Sequence, residues 1–248
     1  MIIIYATVTG VNETTSVSNL VSLMNAYQFG EIGIEVSESL SYSGERLRWI
    51  DDLSYRLKER SVFVNAALHV GGNWLSDLYC GIVAPELKQL LNLRNIYRTP
   101  LFRRLQLGFG PETNNVPEDC GDALLSLQQK WRCRFVIPFH GNNYDTLQKL
   151  RDKGVAFDTL FEEKSMENCP FFPDSVQGYT GKFSHLNVAG FLDKVSIPAA
   201  RSSTTCFISV DAKEGLKSNG QLSMDKCHKY LLTVKTWYEH YKWQSVDI

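Results

Sequence analysis

Eight short runs of apolar, largely β-branched residues recur along this 248-residue chain, mostly at intervals near thirty residues, with amphipathic helical stretches between them. Thirty residues is about the length of one strand-plus-helix unit, so the spacing restricts the chain to architectures built by repeating that unit. The runs are Ile2–Thr9, Glu31–Val36, Val62–His69, Arg104–Gly108, Arg134–His140, Phe157–Glu162, Val176–Gly181 and Cys206–Asp211. Several are nearly continuous in apolar character, as strands covered on both faces require. The α/β pattern predicts one TIM (β/α)8 barrel with parallel strands over residues 1–248. A doubly wound open sheet is the competing architecture, because periodicity does not report closure.

The intervening helices carry their own punctuation. Ser16–Tyr27 sets Val17, Leu20, Val21 and Met24 on one stripe, and Glu45–Glu59 does the same with Leu47, Ile50, Leu53 and Leu57. Asn73 and Asp119 are candidate caps for the next two helices, and Tyr144–Lys153 stops at Gly154. Ser184–Val195 is expected to close at Pro198, and Ser223 to open a final helix reaching about Tyr241. Leu87–Arg103 reads either as a helix extension or as an insertion, and Asn168–Ser175, with Pro170 and Pro173, as a loop over the barrel mouth. Trp237, Tyr238, Tyr241 and Trp243 near the end suit packing on the barrel wall or a contact with a second copy, the former preferred.

Composition excludes several functions. The 26 Lys and Arg and 27 Asp and Glu give a net charge of −1, mixed along the chain without a long basic run. Sequence-independent nucleic-acid binding and attachment to anionic membranes therefore have no electrostatic basis. The apolar opening Met1–Thr9 is short and lacks a basic leader, so it reads as a strand and not as a secretory signal. The six cysteines are scattered, with no C-x-x-C, which favours reduced thiols in a cytoplasmic protein over disulfides or a zinc knuckle.

In a barrel of this kind the C-terminal strand ends meet above the core, where active sites are built. Those ends carry Thr7, Thr9, Glu35, His69, Gln106, His140, Glu162, Thr180 and Asp211, a polar ring closing apolar strands. Glu162, ending the run Phe157–Phe161, is the first acid candidate, since partial desolvation favours a protonated carboxyl. His69 and His140 are candidate bases, each of which also suits a plain hydrogen bond to a nearby carbonyl. Thr9, before Gly10, suits either the reaction centre or a turn cap. Arg46 follows the second strand, where it suits a bidentate carboxylate clamp or a solvated helix start. Lys182 and Lys213 follow the seventh and eighth strands, where a cation meets an oxyanion.

The segment Gly178–Val188 reads as strand, glycine turn and helix start, with Ser184 as cap and Asn187 three residues on. Such a turn aims backbone N–H groups and the positive end of a helix at an anion. It falls at the seventh strand, where barrels of this class commonly hold phosphate.

Here the chain resembles the phosphoribosylanthranilate isomerase family along nearly its whole length. The family's A-G-G-L-T-P-E-N-V pattern is matched at Gly181, Asn187 and Val188 of Thr180-Gly-Lys-Phe-Ser-His-Leu-Asn-Val188, with Phe183 and Ser184 as similar residues. Leu105-Gln-Leu107 resembles its V-Q-L fourth strand. The chain is more similar still to a little-described branch of such barrels, through Val8-Thr-Gly10, Leu68-His-Val-Gly-Gly72 and Asp225-Lys-Cys227. The resemblance implies an Amadori-type rearrangement of an aminoribose phosphate, with no cofactor and no metal. On it, Glu162 takes the place of the acid, an aspartate in the family, and Thr9 the place of the cysteine base. Gly181, Lys182 and Phe183, with Ala212 and Lys213, form the phosphate cradle; Ser184, Gln106 and Arg46 are further ligand-binding candidates, Arg46 a few residues from the place of the family's arginine after strand two. Asp211 stands in the family's eighth-strand turn, a carboxylate where the family offers serine. A threonine hydroxyl does not ionise near neutrality, so a proton acceptor must come from elsewhere, from His69 or His140.

Three readings follow: an isomerase or lyase acting on a small phosphorylated or carboxylated metabolite, a non-catalytic barrel that binds an anionic metabolite or a protein, and a metal-dependent hydrolase using His69, His140, Glu162, Glu35 and Asp211.

Overall fold

The computed structural model describes residues 2–41, 43–108, 116–139, 143–162, 176–200 and 206–244. Eight strands, each hydrogen-bonded in parallel to the next, close into a barrel: β1 (Ile2–Thr9), β2 (Gly30–Val36), β3 (Asn65–Val70), β4 (Phe102–Leu107), β5 (Arg134–Pro138), β6 (Phe157–Glu162), β7 (Val176–Gly181) and β8 (Cys206–Ala212). The register of β1 against β8, from Ile2 opposite Cys206 to Val8 opposite Ala212, seals the cylinder. The open-sheet alternative is thereby removed.

Around it run α1 (Val17–Ala26), the short α2 (Glu38–Ser41), α3 (Glu45–Glu59), α4 (Gly72–Tyr79), α5 (Pro85–Asn92), α6 (Gly121–Trp131), α7 (Tyr144–Asp152), α8 (Val188–Ala200) and α9 (Met224–Gln244). A 3-10 turn at Glu214–Leu216 and a two-residue hairpin, β9 (Lys217–Ser218) with β10 (Gln221–Leu222), join β8 to α9. Ser16 caps α1 by accepting from Asn19 N–H, and Gly154, at φ +82°, ends α7 where only glycine is comfortable. Three termini differ from expectation. Asp119 does not cap α6, whose N-cap position is Cys120 with no side-chain hydrogen bond. Asn73 caps no helix with its side chain; its N–H is itself held by the Glu38 carboxylate at 3.0 Å. Helix α8 starts at Val188, one turn beyond Ser184, and continues through Pro198.

The strands are not apolar on both faces. Ile32, Ile34 and Val36 of β2 are wholly buried, while Glu31, Gly33 and Glu35 alternate with them. The Arg104 guanidinium on β4 reaches Glu31 on β2 at 2.7 Å and Asp158 on β6 at 3.2 Å. Strands two apart meet only through the barrel interior, so these side chains fill it. Barrel interiors are ordinarily layered with bulky branched side chains; the base of this one holds Glu31, Arg104, Asp158 and Arg134, paired among themselves. A register shift between Ala66 and Ala67 brings Arg104 opposite Ala67. The apolar substance of the fold lies between strands and helices.

Helix α9 is tied to the seam: Tyr230 donates to the carbonyl of Val210, Tyr238 to that of Ile2, and Trp237 Nε1 to Asp193. Tyr241 stacks on Trp237 at 5.1 Å, and Trp237, Tyr238 and Tyr241 pack partly buried against the core, while the side chain of Trp243 lies outside the described residues. Among the described residues no helix is long and apolar enough to cross a membrane.

Candidate functional site

Strand register alone draws the polar ends into two rows. Glu35 lies opposite His69, and His69 opposite Gln106. Glu162 lies opposite Thr180, Thr180 opposite Asp211, and Asp211 opposite Thr7. Because a parallel barrel sets all C-terminal ends at one rim, the predicted polar residues share one mouth. His140 and the side chain of Glu162 lie outside the described residues.

The centre of the mouth is a contact between β1 and β8. The Thr9 hydroxyl donates to Oδ1 of Asp211 at 2.5 Å, and both residues are buried. Burial pushes the Asp211 carboxyl up to about 7. The Thr9 hydrogen bond and the Arg104 cation oppose that shift, while the charges of Glu31 and Glu35 add to it. Asp211 is therefore a carboxyl able to give or take a proton at neutral pH, at a position where the sequence suggested only a ligand contact. Its signal in the sequence was an acid ending an apolar strand, the same argument that singled out Glu162.

His69 behaves differently. It is fully buried beside Gly33, and burial, with Arg104 and Lys213 acting in the same sense, holds its imidazole down at about 3. Near neutrality it is an uncharged ring, suited to hydrogen bonding and poor at accepting a proton.

Two of the expected cations, Lys213 and Arg46, are engaged within the chain. Lys213 lies over Gly10 and reaches Glu35 Oε1 at 2.5 Å. Arg46 donates to Glu13 at 2.6 Å and to the Glu35 carbonyl at 2.8 Å, locking α3 to β2. Gln106 turns back to the carbonyl of Gly108. Lys182 is exposed.

The turn after β7 is tightly organised. The Ser184 N–H donates to Asn187 Oδ1 at 2.8 Å, Leu186 N–H donates to Ser184 Oγ at 3.2 Å, and Asn187 Nδ2 donates to the Lys182 carbonyl. Phe183 is buried against Phe191, and its carbonyl abuts Gly215: a Cβ there would lie 2.0 Å from that oxygen. The seventh and eighth turns, including Gly181 and Ala212, thus meet side by side, since Gly181 pairs with Ala212.

The interior charges Glu31, Arg104, Arg134 and Asp158 were not foreseen as a group. Their trace in the sequence is a charged residue at or near the start of strands two, four, five and six. Among the described residues, no three His, Cys, Asp or Glu side chains converge as a metal would require.

These features define the class: a closed (β/α)8 barrel whose polar strand ends share one mouth. Within that class the chain is similar in structure to phosphoribosylanthranilate isomerases. The N-(5'-phosphoribosyl)anthranilate isomerase of Pyrococcus furiosus matches with a TM-score of 0.53 at 11% identity, over 94% of this chain and 100% of that one. The phosphoribosyl anthranilate isomerase of Thermococcus kodakaraensis matches at 0.50 and 12%, over 93% and 98%. Monomers generated from the dimeric enzyme of Thermotoga maritima match at 0.54 and 12%, over 94% and 99%. At such identities the likeness is one of fold. No family model and no curated protein matches the chain.

Proposed function

We propose that the protein is an enzyme of the isomerase or lyase class, moving protons on a small phosphorylated or carboxylated metabolite held in the C-terminal mouth. The observation that carries this reading is Asp211: a buried carboxyl titrating at about 7, oriented by the Thr9 hydroxyl, in a mouth where Glu162 occupies the same row two strands away. Two strand spacings are about 10 Å, which leaves room for a small metabolite between the two carboxyls. A carboxyl whose pKa matches the medium serves as base in its ionised form and as acid in its neutral form, the condition for efficient proton transfer. In an Amadori-type rearrangement Asp211 would take the proton from C2′ while Glu162 protonates the ring oxygen. Thr9, standing where the similar family has its cysteine base, orients Asp211 and does not itself take the proton. The turns at Gly181–Ser184 and Ala212–Lys213 receive the substrate's anionic group, with Lys182 as the exposed cation. A cytoplasmic location belongs to the same reading, which is supported by the unpaired thiols Cys80, Cys120, Cys133 and Cys227.

The test is incubation with a panel of aminoribose phosphates, with chromatography for a product of unchanged mass. Turnover abolished in Asp211→Asn is the expected result. A second reading, a barrel that binds such a metabolite without transforming it, is favoured by the internal pairing of Lys213 and Arg46. It would prevail if the same compounds raised the melting temperature and gave no product.

A further inference from the structure

The opposite end of the barrel carries a cavity. It has a volume of about 210 Å³ and opens among Tyr5, Glu31, Asn65, Arg103, Arg104 and Arg134, all at or before the middle of their strands, with Val64, Ala66 and Leu101 supplying an apolar wall and Asp158 its floor. None of its residues belongs to the mouth.

The chemistry of this cavity is uneven in an informative way. Among the described residues of its lining, three arginines stand with two carboxylates. Asp158 is held from both sides, by Arg104 at 3.2 Å and by Arg134. Glu31 accepts from Thr7 at 3.0 Å and from Arg104 Nη1 at 2.7 Å. Arg104 spends its Nε on Asp158 and its Nη1 on Glu31, and among the described residues its Nη2 has no acceptor. A guanidinium fixed by two carboxylates presents its remaining N–H groups in one rigid direction, the arrangement that suits a carboxylate. Arg103 stands at the rim, exposed, over the ring of Phe63. The volume is below the ~300 Å³ at which drug-sized pockets begin, so the occupant is a small metabolite.

We propose that the N-terminal base of the barrel is a second binding site, separate from the mouth, for a small organic monocarboxylate, its carboxylate on Arg104 and its apolar body against Val64, Ala66 and Leu101. The proposal is independent of whether the mouth is catalytic.

Isothermal titration of the full chain with benzoate, with hexanoate, and with inorganic phosphate as the competing anion tests it. Expected is binding of a carboxylate with a Kd below about 1 mM. Arg103→Glu, a surface change chosen because it leaves the buried ion pairs intact, should weaken that binding by about tenfold, by setting a negative charge at the rim where a cation stood. Lys182→Ala and Lys213→Met, both at the mouth, should leave it unchanged. No binding of either carboxylate at about 10 mM would overturn the site. So would an affinity indifferent to Arg103→Glu or abolished at Lys213. Phosphate binding more tightly than both carboxylates in an Arg103-dependent way would overturn the assignment of ligand class.

Discussion

The Thr9 hydroxyl reaches Asp211 across the seam between the first and last strands, joining residues 202 positions apart in the sequence. This contact seals the barrel at the rim and also sets the chemistry of its mouth, because it is the largest influence opposing burial on the Asp211 carboxyl.

Thr9→Val keeps the side chain's shape and removes the donor. Asp211 should then titrate above its present value of about 7, and stability should fall by about 1–3 kcal/mol for the lost bond to a buried acceptor. Carboxyl-carbon NMR titration and denaturant unfolding report the two effects separately. An unmoved titration would remove Thr9 from the site.

The dependence of stability on pH should show two opposed contributions. Asp211 goes from 3.8 when unfolded to about 7 when folded, so the unfolded chain sheds the proton first and stability declines as pH rises between those values. His69 goes from 6.5 to about 3, so the unfolded chain takes up the proton first and stability declines as pH falls between those values. From roughly pH 4 to 6.5 the slopes, each about 1.4 kcal/mol per pH unit, offset one another. Relative to wild type, Asp211→Asn should gain stability as pH rises through that window, and His69→Gln should lose it. Melts of the three proteins across the range check both signs.

Gly33 is where the mouth has no room for another atom. A Cβ there would lie 2.4 Å from Thr9 Oγ1 and 2.7 Å from the His69 ring. Gly33→Ala should cost about 1–3 kcal/mol through overpacking and displace the Thr9 hydroxyl from Asp211. The same carboxyl NMR signal should shift as it does in Thr9→Val.

Gly215 allows the eighth turn to touch the seventh, its Cα resting against the Phe183 carbonyl. Gly215→Ala must part the two turns, since backbone and not a flexible side chain stands in the way. The melting temperature should drop, and any rise in it caused by phosphate-bearing ligands should shrink by more than the same substitution at exposed Gly190, which meets nothing within 4 Å. Equal losses at both positions would argue against an anion cradle there.

Arg104→Met should be the most damaging of these changes. It strands Glu31 inside the barrel and leaves Asp158 to Arg134 alone, a loss of about 3–5 kcal/mol for a broken buried pair. Urea unfolding measures it directly.

The sequence made the barrel legible because strand and helix periods differ sharply, and three strands, at Ile2–Thr9, Phe157–Glu162 and Val176–Gly181, have the boundaries their apolar runs indicate. The rim was legible for a related reason: polar residues ending apolar strands in a parallel barrel can only meet at one end. Protonation states were not legible. His69 reads in the chain as a base and Asp211 as a ligand contact, and only burial, with neighbours from β1, β2, β4 and the turn after β8, sets an imidazole near 3 and a carboxyl near 7. The interior charges escaped notice because their partners are far apart in sequence, 73 residues for Arg104 with Glu31 and 54 for Arg104 with Asp158. Helix α8 began late because Asn187 folds the preceding turn onto itself.

Imagine the cylinder divided between its fourth and fifth strands. Each half would keep a matched couple, Glu31 with Arg104 in one and Arg134 with Asp158 in the other, and the only bridge severed in that quartet would be Arg104 to Asp158. Each half of the cylinder thus neutralises its own share of that quartet.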